Sequence, residues 1–304
     1  MREATALAPG HITGAFQIFD ESADASNVGS RGFGVSLDLG AKTTVKIKKA
    51  SENSLKVKIN NHASDSARVS NQVVSTFLAR FAETENSEIM VEHHIQAPIG
   101  AGFGTSGAAA LSLALALNEA FNLGMSKIQA AQLAHIAEVE CKTGLGTVIA
   151  ETFGGLEIRV KPGAPGIGEI KQLSVPANTV VACLVFGPLS TSEFLTNQKT
   201  RTRINKFGGE LIDELVEAPS IGNFMKLSRQ FAEHVELITE KVRHVLTAAD
   251  EVGVVCSMPM FGESVFTLIE EENLRKILQV FRKHGSNRQI VISNVDHEGA
   301  RLLQ

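Results

Sequence analysis

A glycine-rich segment, residues 98–107, contains the side chains whose types and spacing most clearly suggest chemistry. It reads Pro98-Ile-Gly-Ala-Gly-Phe-Gly-Thr-Ser-Gly107 and lies between a strand-like run and an Ala/Leu-rich helical run. Alternate glycines let the main chain adopt positive φ and approach a ligand closely, and the N–H groups at a helix start attract anions. The hydroxyls in this segment can reach phosphate oxygens or Mg²⁺. The segment predicts a phosphate-binding loop formed by Pro98, Gly100, Gly102, Gly104, Thr105 and Ser106.

Two familiar phosphate motifs do not explain this segment. Gly102-Phe-Gly-Thr-Ser-Gly107 matches the dinucleotide fingerprint G-x-G-x-x-G, but a second helical run follows instead of the return strand of a βαβ unit. The pattern G-x-x-x-x-G-K-[ST] is excluded because the chain contains no Gly-Lys pair. A phosphate loop of a third kind remains, and its structural alternative is a glycine-rich turn before a core helix.

The composition favours a protein that binds small molecules over one that binds nucleic acid or membrane. The 304 residues include 29 Lys and Arg against 33 Asp and Glu, which gives a net charge of −4. No uncharged apolar run of about 18 residues is present, and no apolar signal follows Met1. Three widely spaced cysteines fit neither a disulfide framework nor a zinc site. We therefore expect a cytoplasmic protein.

Hydrophobic periodicity predicts the elements that must position the loop. Strand-like patterns in the first half occur at residues 2–7, 33–39, 43–49, 55–60, 88–95 and 154–160, which together predict a mostly antiparallel sheet. Helical spacing covers residues 67–84, the run from the glycine loop to residue 122, and a run from a predicted cap at Ser126 to about Cys141. Both apolar helices after the loop must pack on the sheet.

The order of elements changes after the loop signal at residues 161–166. Predicted strands are residues 179–186, 252–256, 264–269 and 288–293, and predicted helices lie within residues 204–251 and 271–283. This order predicts a separate layer of helices on a sheet. We place the boundary at residues 174–178, which gives a first domain of residues 1–175 and a second of residues 176–304.

Three motifs of the chain resemble those of the GHMP small-molecule kinases. Residues 98–108 are similar to the second motif of that superfamily, P-x-x-x-G-x-G-S-S-A. Residues 8–14, Ala-Pro-Gly-His-Ile-Thr-Gly, resemble the first motif, with His11 where many members have Arg or Lys. Residues 258–266 resemble a degenerate third motif, so all three occur in the family's order.

Finer features resemble one branch, the archaeal pantoate kinases. They are the Pro-Gly-His-Ile-Thr-Gly form of the first motif, residues 29–34, residues 134–139 with the following Thr143-Gly-Leu-Gly146, and Phe261-Gly-Glu263. The resemblance implies phosphorylation of the primary hydroxyl of pantoate by ATP and Mg²⁺ in archaeal coenzyme A synthesis. It also implies an α+β fold with an N-terminal ribosomal-S5-like domain and a C-terminal ferredoxin-like domain, and possibly a homodimer.

The resemblance also implies roles for individual residues. Ser106 and Glu138 match the magnesium and phosphate ligands, and Arg159 matches the arginine that binds the substrate carboxylate. The helical pattern alone places Glu138 on a polar stripe and favours a solvated face, and Arg159 could be a surface charge on its strand. Arg31, in a predicted glycine-flanked turn, is the rival for the carboxylate or the phosphates. His11, after a predicted Pro-Gly turn, is assigned to the substrate, with a structural role as its alternative.

Position 147 departs from the family pattern. The family reads Gly-Leu-Gly-Asp-Val, in which the aspartate is the presumed base, whereas this chain has Thr147. Threonine cannot accept the substrate proton, and Glu151 or Asp20 are the candidates to replace it. Homoserine kinases of the superfamily are similar in lacking this aspartate. Another acceptor, of the homoserine or shikimate class, and a non-catalytic nucleotide-binding protein therefore stay open as alternatives.

Overall fold

The computed structural model describes residues 1–64, 66–189 and 198–303. The strands are β1 (Arg2–Phe19), β2 (Gly29–Lys49), β3 (Ser54–Ile59), β4 (His62–Ala63), β5 (Ser87–Ile95), β6 (Leu156–Lys161), β7 (Glu169–Leu173), β8 (Thr179–Pro188), β9 (Gly262–Glu270), β10 (Ile290–Asn294) and β11 (Arg301–Leu303). Within the described residues, eight of them form one sheet in the order β11-β1-β2-β5-β3-β4, and β6 pairs with β2 and β7. The strand pairs are antiparallel apart from β3 with β5, so the predicted mostly antiparallel sheet is confirmed.

The first two strands are longer than the sequence pattern predicts, with 18 and 21 residues. The predicted strands at residues 33–39 and 43–49 are parts of the single strand β2. The predicted turns at Pro9-Gly10 and around Arg31 are wrong, because both segments lie inside strands. Register shifts after Pro9 and after Thr13 accommodate the proline and the glycines as β-bulges.

The helices are α1 (Arg68–Arg80), α2 (Thr105–Phe121), α3 (Lys127–Cys141), α4 (Thr147–Phe153), α5 (Gln198–Glu217), α6 (Ile221–His234), α7 (Glu240–Glu251) and α8 (Leu274–His284). Ser126 caps α3 as predicted, in a capping box with Gln129. The Ala/Leu-rich α2 is buried along most of its length and packs against β1, β2 and α3. The short helix α4, which begins at Thr147, was not predicted.

A second sheet of three strands, in the order β10-β8-β9, carries the later helices in the described part of the chain. Residues 252–256, a predicted strand, form a turn after α7 instead. The N–H groups of Val252, Gly253 and Val254 donate to carbonyl groups of the last helical turn, so this segment caps the helix and is not free to pair as a strand.

The end of the chain returns to the first sheet. Strand β11 pairs with β1, although the second sheet begins at Thr179. The division into residues 1–175 and 176–304 stays a prediction, and residues 301–303 belong to the first sheet. Two sheets with helices packed on them give the α+β fold expected from the sequence. No described helix combines the length and the apolar character that crossing a bilayer requires.

Candidate active site

A cavity of about 960 Å³ lies where the first sheet, the glycine loop and the second sheet meet. Its lining includes the predicted site residues His11, Gly100, Gly102, Gly104, Thr105, Ser106, Thr147 and Arg159. The second sheet contributes Pro188 at the end of β8, and Met260 and Phe261 contribute from just before β9. The fold therefore brings most of the predicted site residues to one cavity.

The glycine loop has the geometry of an anion site. Gly100, Gly102 and Gly104 have φ angles of +76°, +87° and +64°, which confirms the predicted positive φ at alternate glycines. Gly104 is the N-cap of α2, so the loop lies at the positive end of a 17-residue helix. Because side chains other than glycine rarely adopt these angles, the sequence shapes this loop for close approach to a ligand.

All three motifs meet at this loop. The N–H of His11, in the first motif, donates to the Phe103 carbonyl oxygen at 2.9 Å. The Ser264 hydroxyl, in the third motif, donates to the Ala101 carbonyl oxygen at 2.9 Å. These bonds tie β1 and β9 to the same loop, so both sheets hold it in place.

Glu138 lies beside the loop, buried on the inner side of α3. It is 1% exposed, and the Ser106 hydroxyl donates to its Oε2 at 3.2 Å while the Thr143 hydroxyl donates to its Oε1 at 2.7 Å. Burial raises the pKa of Glu138 to about 7, and the two hydroxyl hydrogen bonds oppose that rise. The solvated face that the polar stripe favoured is therefore wrong for Glu138, because α3 is covered on that side.

Arg159 is a second buried charged group of the site. It is 1% exposed, lines the cavity, and forms an ion pair through Nη1 with Glu157, which is two residues earlier on the same face of β6. Burial lowers the pKa of Arg159 and the adjacent Glu157 carboxylate opposes this, so the guanidinium remains charged. Its Nε has no hydrogen-bond partner among the described residues. A buried donor without a partner suits an incoming ligand oxygen.

His11 belongs to the same buried group. Its Nε2 lies 3.1 Å from Glu157 Oε1, and its Nδ1 lies 3.3 Å from the Thr13 hydroxyl. Glycines of β2 leave the space for these side chains: a Cβ at Gly32 would overlap the Arg159 guanidinium, and one at Gly34 would overlap the His11 ring. The glycines of residues 29–34 therefore allow other residues to approach the strand closely, and they do not form a turn.

Arg31 points away from this group. Its Nη2 donates to Asp213 Oδ1 at 2.5 Å and its Nε donates to the Val160 carbonyl oxygen at 3.1 Å. It does not line the cavity, whereas Ser30 does, and Gly32 on the other side of Arg31 faces Arg159. The structure therefore brings Arg159, and not Arg31, together with the glycine loop.

The position of the missing base and its two candidate replacements lie in different surroundings. Thr147 is half-buried and lines the cavity. Glu151 is fully buried behind the loop, where Cβ atoms at Gly104 and Gly107 would lie 2.8 and 2.9 Å from its oxygens. Both of these oxygens lack partners among the described residues, and burial with the nearby carboxylates raises the Glu151 pKa well above its ordinary value. Asp20 lines the cavity and accepts from Arg201 at 2.7 Å.

Sequence reasoning missed several residues of the site. They are Thr13, Ser30, Lys142, Thr143 and Glu157. Glu157 and Arg159 are two residues apart on one predicted strand, and this spacing indicates that their side chains lie on the same face. Lys142 ends α3 with a positive φ of 56° and faces the cavity, and no local pattern pointed to it.

Magnesium fits the oxygen groups beside the loop. Among the described residues, no three His, Cys, Asp or Glu side chains are arranged to hold a metal. Mg²⁺ in phosphate-binding sites typically takes one or two carboxylates and completes its shell with phosphates and water. Ser106 and Glu138 would supply such a partial set.

Comparison with known proteins agrees with this geometry. Residues 68–155 match the GHMP kinases N terminal domain. The pantoate kinase of Methanocaldococcus jannaschii is 33% identical over 91% of this chain and 96% of its own length. The pantoate kinase of Thermococcus kodakarensis is 34% identical over 90% of each chain. A solved structure described as a phosphotransferase related to the CoA biosynthesis pathway is 30% identical, covers 99% of this chain and 98% of its own, and has a TM-score of 0.89. The chain therefore belongs to the pantoate kinase family of the GHMP kinases.

Proposed function

We propose that the protein transfers the γ-phosphoryl group of ATP to the primary hydroxyl of pantoate, forming 4-phosphopantoate for coenzyme A synthesis of the archaeal type. The observation that carries this proposal is the unpartnered Nε of buried Arg159 in the same cavity as the glycine loop. One end of the cavity suits phosphates and the other suits a small carboxylate.

The loop would bind the phosphates of ATP. The N–H groups around Gly100, Gly102 and Gly104 and the start of α2 favour negative charge. Lys142 lines the same cavity and has no described side-chain hydrogen bond or ion pair, so its ammonium group is available to the phosphates. Ser106 and Glu138 would hold Mg²⁺, which in such reactions neutralises phosphate charge.

Arg159 would bind and orient the carboxylate of pantoate. Its Nη1 already pairs with Glu157, so the free Nε and the remaining donors of the planar fork are left for the substrate. Ser30 Oγ and Arg159 Nε both lie beside the Cα atom of Gly146, where a Cβ would contact each of them. Ser30 is therefore close to the same guanidinium. A carboxylate held here leaves the far end of a short acceptor facing the loop.

A coupled assay of ADP release with a panel of acceptors tests this proposal. Pantoate should have a kcat/KM at least tenfold above those of homoserine and shikimate, with the Ser106→Ala enzyme as the background. A higher kcat/KM for homoserine or shikimate would show that this compound, and not pantoate, is the acceptor. Binding of ATP with Mg²⁺ but no acceptor-dependent ADP release would favour the non-catalytic alternative.

We also propose that the reaction takes place in the cytoplasm. We propose further that the enzyme is a homodimer, as the resemblance to the archaeal pantoate kinases implies. The described cysteines Cys141, Cys183 and Cys256 are free and buried, which suits a reducing compartment. Light scattering of the purified protein tests the homodimer, and a mass of about 32.5 kDa for the particle would contradict it.

A further inference from the structure

The described lining of the cavity contains few groups that could take a proton from an acceptor hydroxyl. Its ionisable members are His11, Asp20, Lys142, Arg159 and Arg201. Lysine and arginine carry their protons at neutral pH, and Asp20 is already ion-paired with Arg201 at 2.7 Å. The buried carboxylates Glu138, Glu151 and Glu157 are not part of the lining. His11 is the remaining candidate in this part of the chain.

The hydrogen bonds of His11 set which ring nitrogen is free. Glu157 carries negative charge opposite Arg159 and accepts hydrogen bonds only, so His11 Nε2 donates to it at 3.1 Å. Arg159 Nη1 lies farther from the same nitrogen, at 3.5 Å, and donates to Glu157 instead. The neutral ring then has its lone pair on Nδ1, which lies 3.3 Å from the Thr13 hydroxyl. Thr13 lines the cavity and is half-buried, so its hydroxyl connects Nδ1 to the substrate volume.

The surroundings also accommodate a protonated ring. The charged groups that face His11 are Glu157 and Arg159, both from β6, and Glu157 accepts from each of them. From β1 and β2 the ring meets Thr13 and Gly34, which do not titrate. An imidazolium formed here would have the Glu157 carboxylate in contact, which offsets repulsion by Arg159.

We propose that His11, oriented by Glu157, is the general base of the phosphoryl transfer and replaces the carboxylate missing at Thr147. This inference rests on the proposed function. The acceptor hydroxyl oxygen forms its bond to the γ-phosphorus as the bond from that phosphorus to the β,γ-bridging oxygen breaks and ADP leaves. The hydroxyl proton passes through the Thr13 hydroxyl to His11 Nδ1 and is released to water after turnover. Glu157 is a positioning residue, since it acts through the ring.

The test compares His11→Gln with a matched control, His94→Gln. Glutamine keeps an N–H group to donate to Glu157 but cannot accept a proton, and His94 is exposed on β5, away from the cavity. His11→Gln should lower kcat about 10²- to 10⁴-fold. The KM for the acceptor and the Kd for ATP with Mg²⁺ should change less than threefold. The His94→Gln control should match the wild type throughout.

Two further measurements separate this inference from the proposed function and from a folding defect. Equal melting temperatures of His11→Gln and wild type show that the fold is kept. The ¹⁵N NMR shifts of the wild-type His11 ring should show a proton on Nε2 and none on Nδ1 above pH 8, whatever the acceptor is. Wild-type enzyme without pantoate turnover would contradict the proposed function. A kcat of His11→Gln within threefold of wild type, or a ring protonated on Nδ1 alone, would overturn the role of His11.

Discussion

Replacing Glu138 by glutamine should remove a pH-dependent loss of stability and, with it, the response of the protein to Mg²⁺. The wild-type carboxyl is 1% exposed, and its pKa is raised by burial from 4.5 to about 7. Between these two values the folded state keeps a proton that the unfolded state has lost. The free energy of unfolding therefore falls as pH rises from about 4.5 to 7 and is constant with respect to this group above pH 7.

The size of this effect follows from the shift. A difference of roughly 2.5 pKa units at about 1.4 kcal/mol per unit corresponds to about 3 kcal/mol. Glutamine has a similar shape and does not titrate. The wild type should therefore lose about 3 kcal/mol more than Glu138→Gln between pH 4.5 and pH 8, in the absence of Mg²⁺. Mg²⁺ needs the ionised carboxylate, so its apparent affinity for the wild type should fall about tenfold for each pH unit below 7.

Urea unfolding at a series of pH values, with and without Mg²⁺ and ATP, measures both effects. Glu140→Gln is the matched control, because Glu140 lies on the same helix but is exposed. If the free energy of unfolding depends on pH in the same way in Glu138→Gln and in the wild type, the raised pKa of the buried Glu138 carboxyl is refuted. A normal Mg²⁺ titration of Glu138→Gln would refute its role as a metal ligand.

Four other substitutions test neighbouring parts of the site. Ser106→Ala should lower kcat at least tenfold without changing the melting temperature, since it removes a half-buried hydroxyl; an unchanged kcat would contradict the loop assignment. Arg159→Lys should raise the KM for pantoate about 10-fold or more while the KM for ATP stays the same, because the planar fork is lost; equal damage to both KM values would move Arg159 to the phosphates. Gly34→Ala should lower kcat at least as much as His11→Gln, because its Cβ would overlap the His11 ring and the Ile12 carbonyl oxygen, and near-normal kcat would show that both groups can move aside. Thr147→Asp should lower kcat about tenfold, because the new carboxylate lines the cavity beside the glycine loop and repels the phosphates there, whereas a rise in kcat would show that a base was missing at this position.

Local patterns in the sequence were sufficient to find the glycine loop and the start of α3. Positive φ at alternate glycines and a serine cap depend only on residues close together in the chain, so both features can be predicted from a short stretch of sequence. The resemblance then pointed to Glu138, which lies beside that loop, and to Arg159, which lines the same cavity.

Features that depend on distant segments could not be predicted in this way. Whether the polar stripe of α3 faces water depends on what packs against it, and the fold buries Glu138 and, one turn earlier on the same helix, His135. Glycines that precede or follow arginine and proline suggested turns, but here they lie in strands and leave room for side chains of other strands. The contact between Glu157 and His11 joins residues 146 positions apart, so no local pattern reveals it.

The central claim is that the protein phosphorylates the primary hydroxyl of pantoate, and ³¹P NMR of the reaction mixture tests it most directly. With enzyme, pantoate and ATP with Mg²⁺, the account predicts a new phosphate monoester resonance that is split by the two protons of one methylene group. Its intensity should grow in step with that of ADP. A resonance split by a single proton would place the phosphate on the secondary hydroxyl, and formation of ADP with inorganic phosphate alone would contradict pantoate phosphorylation altogether.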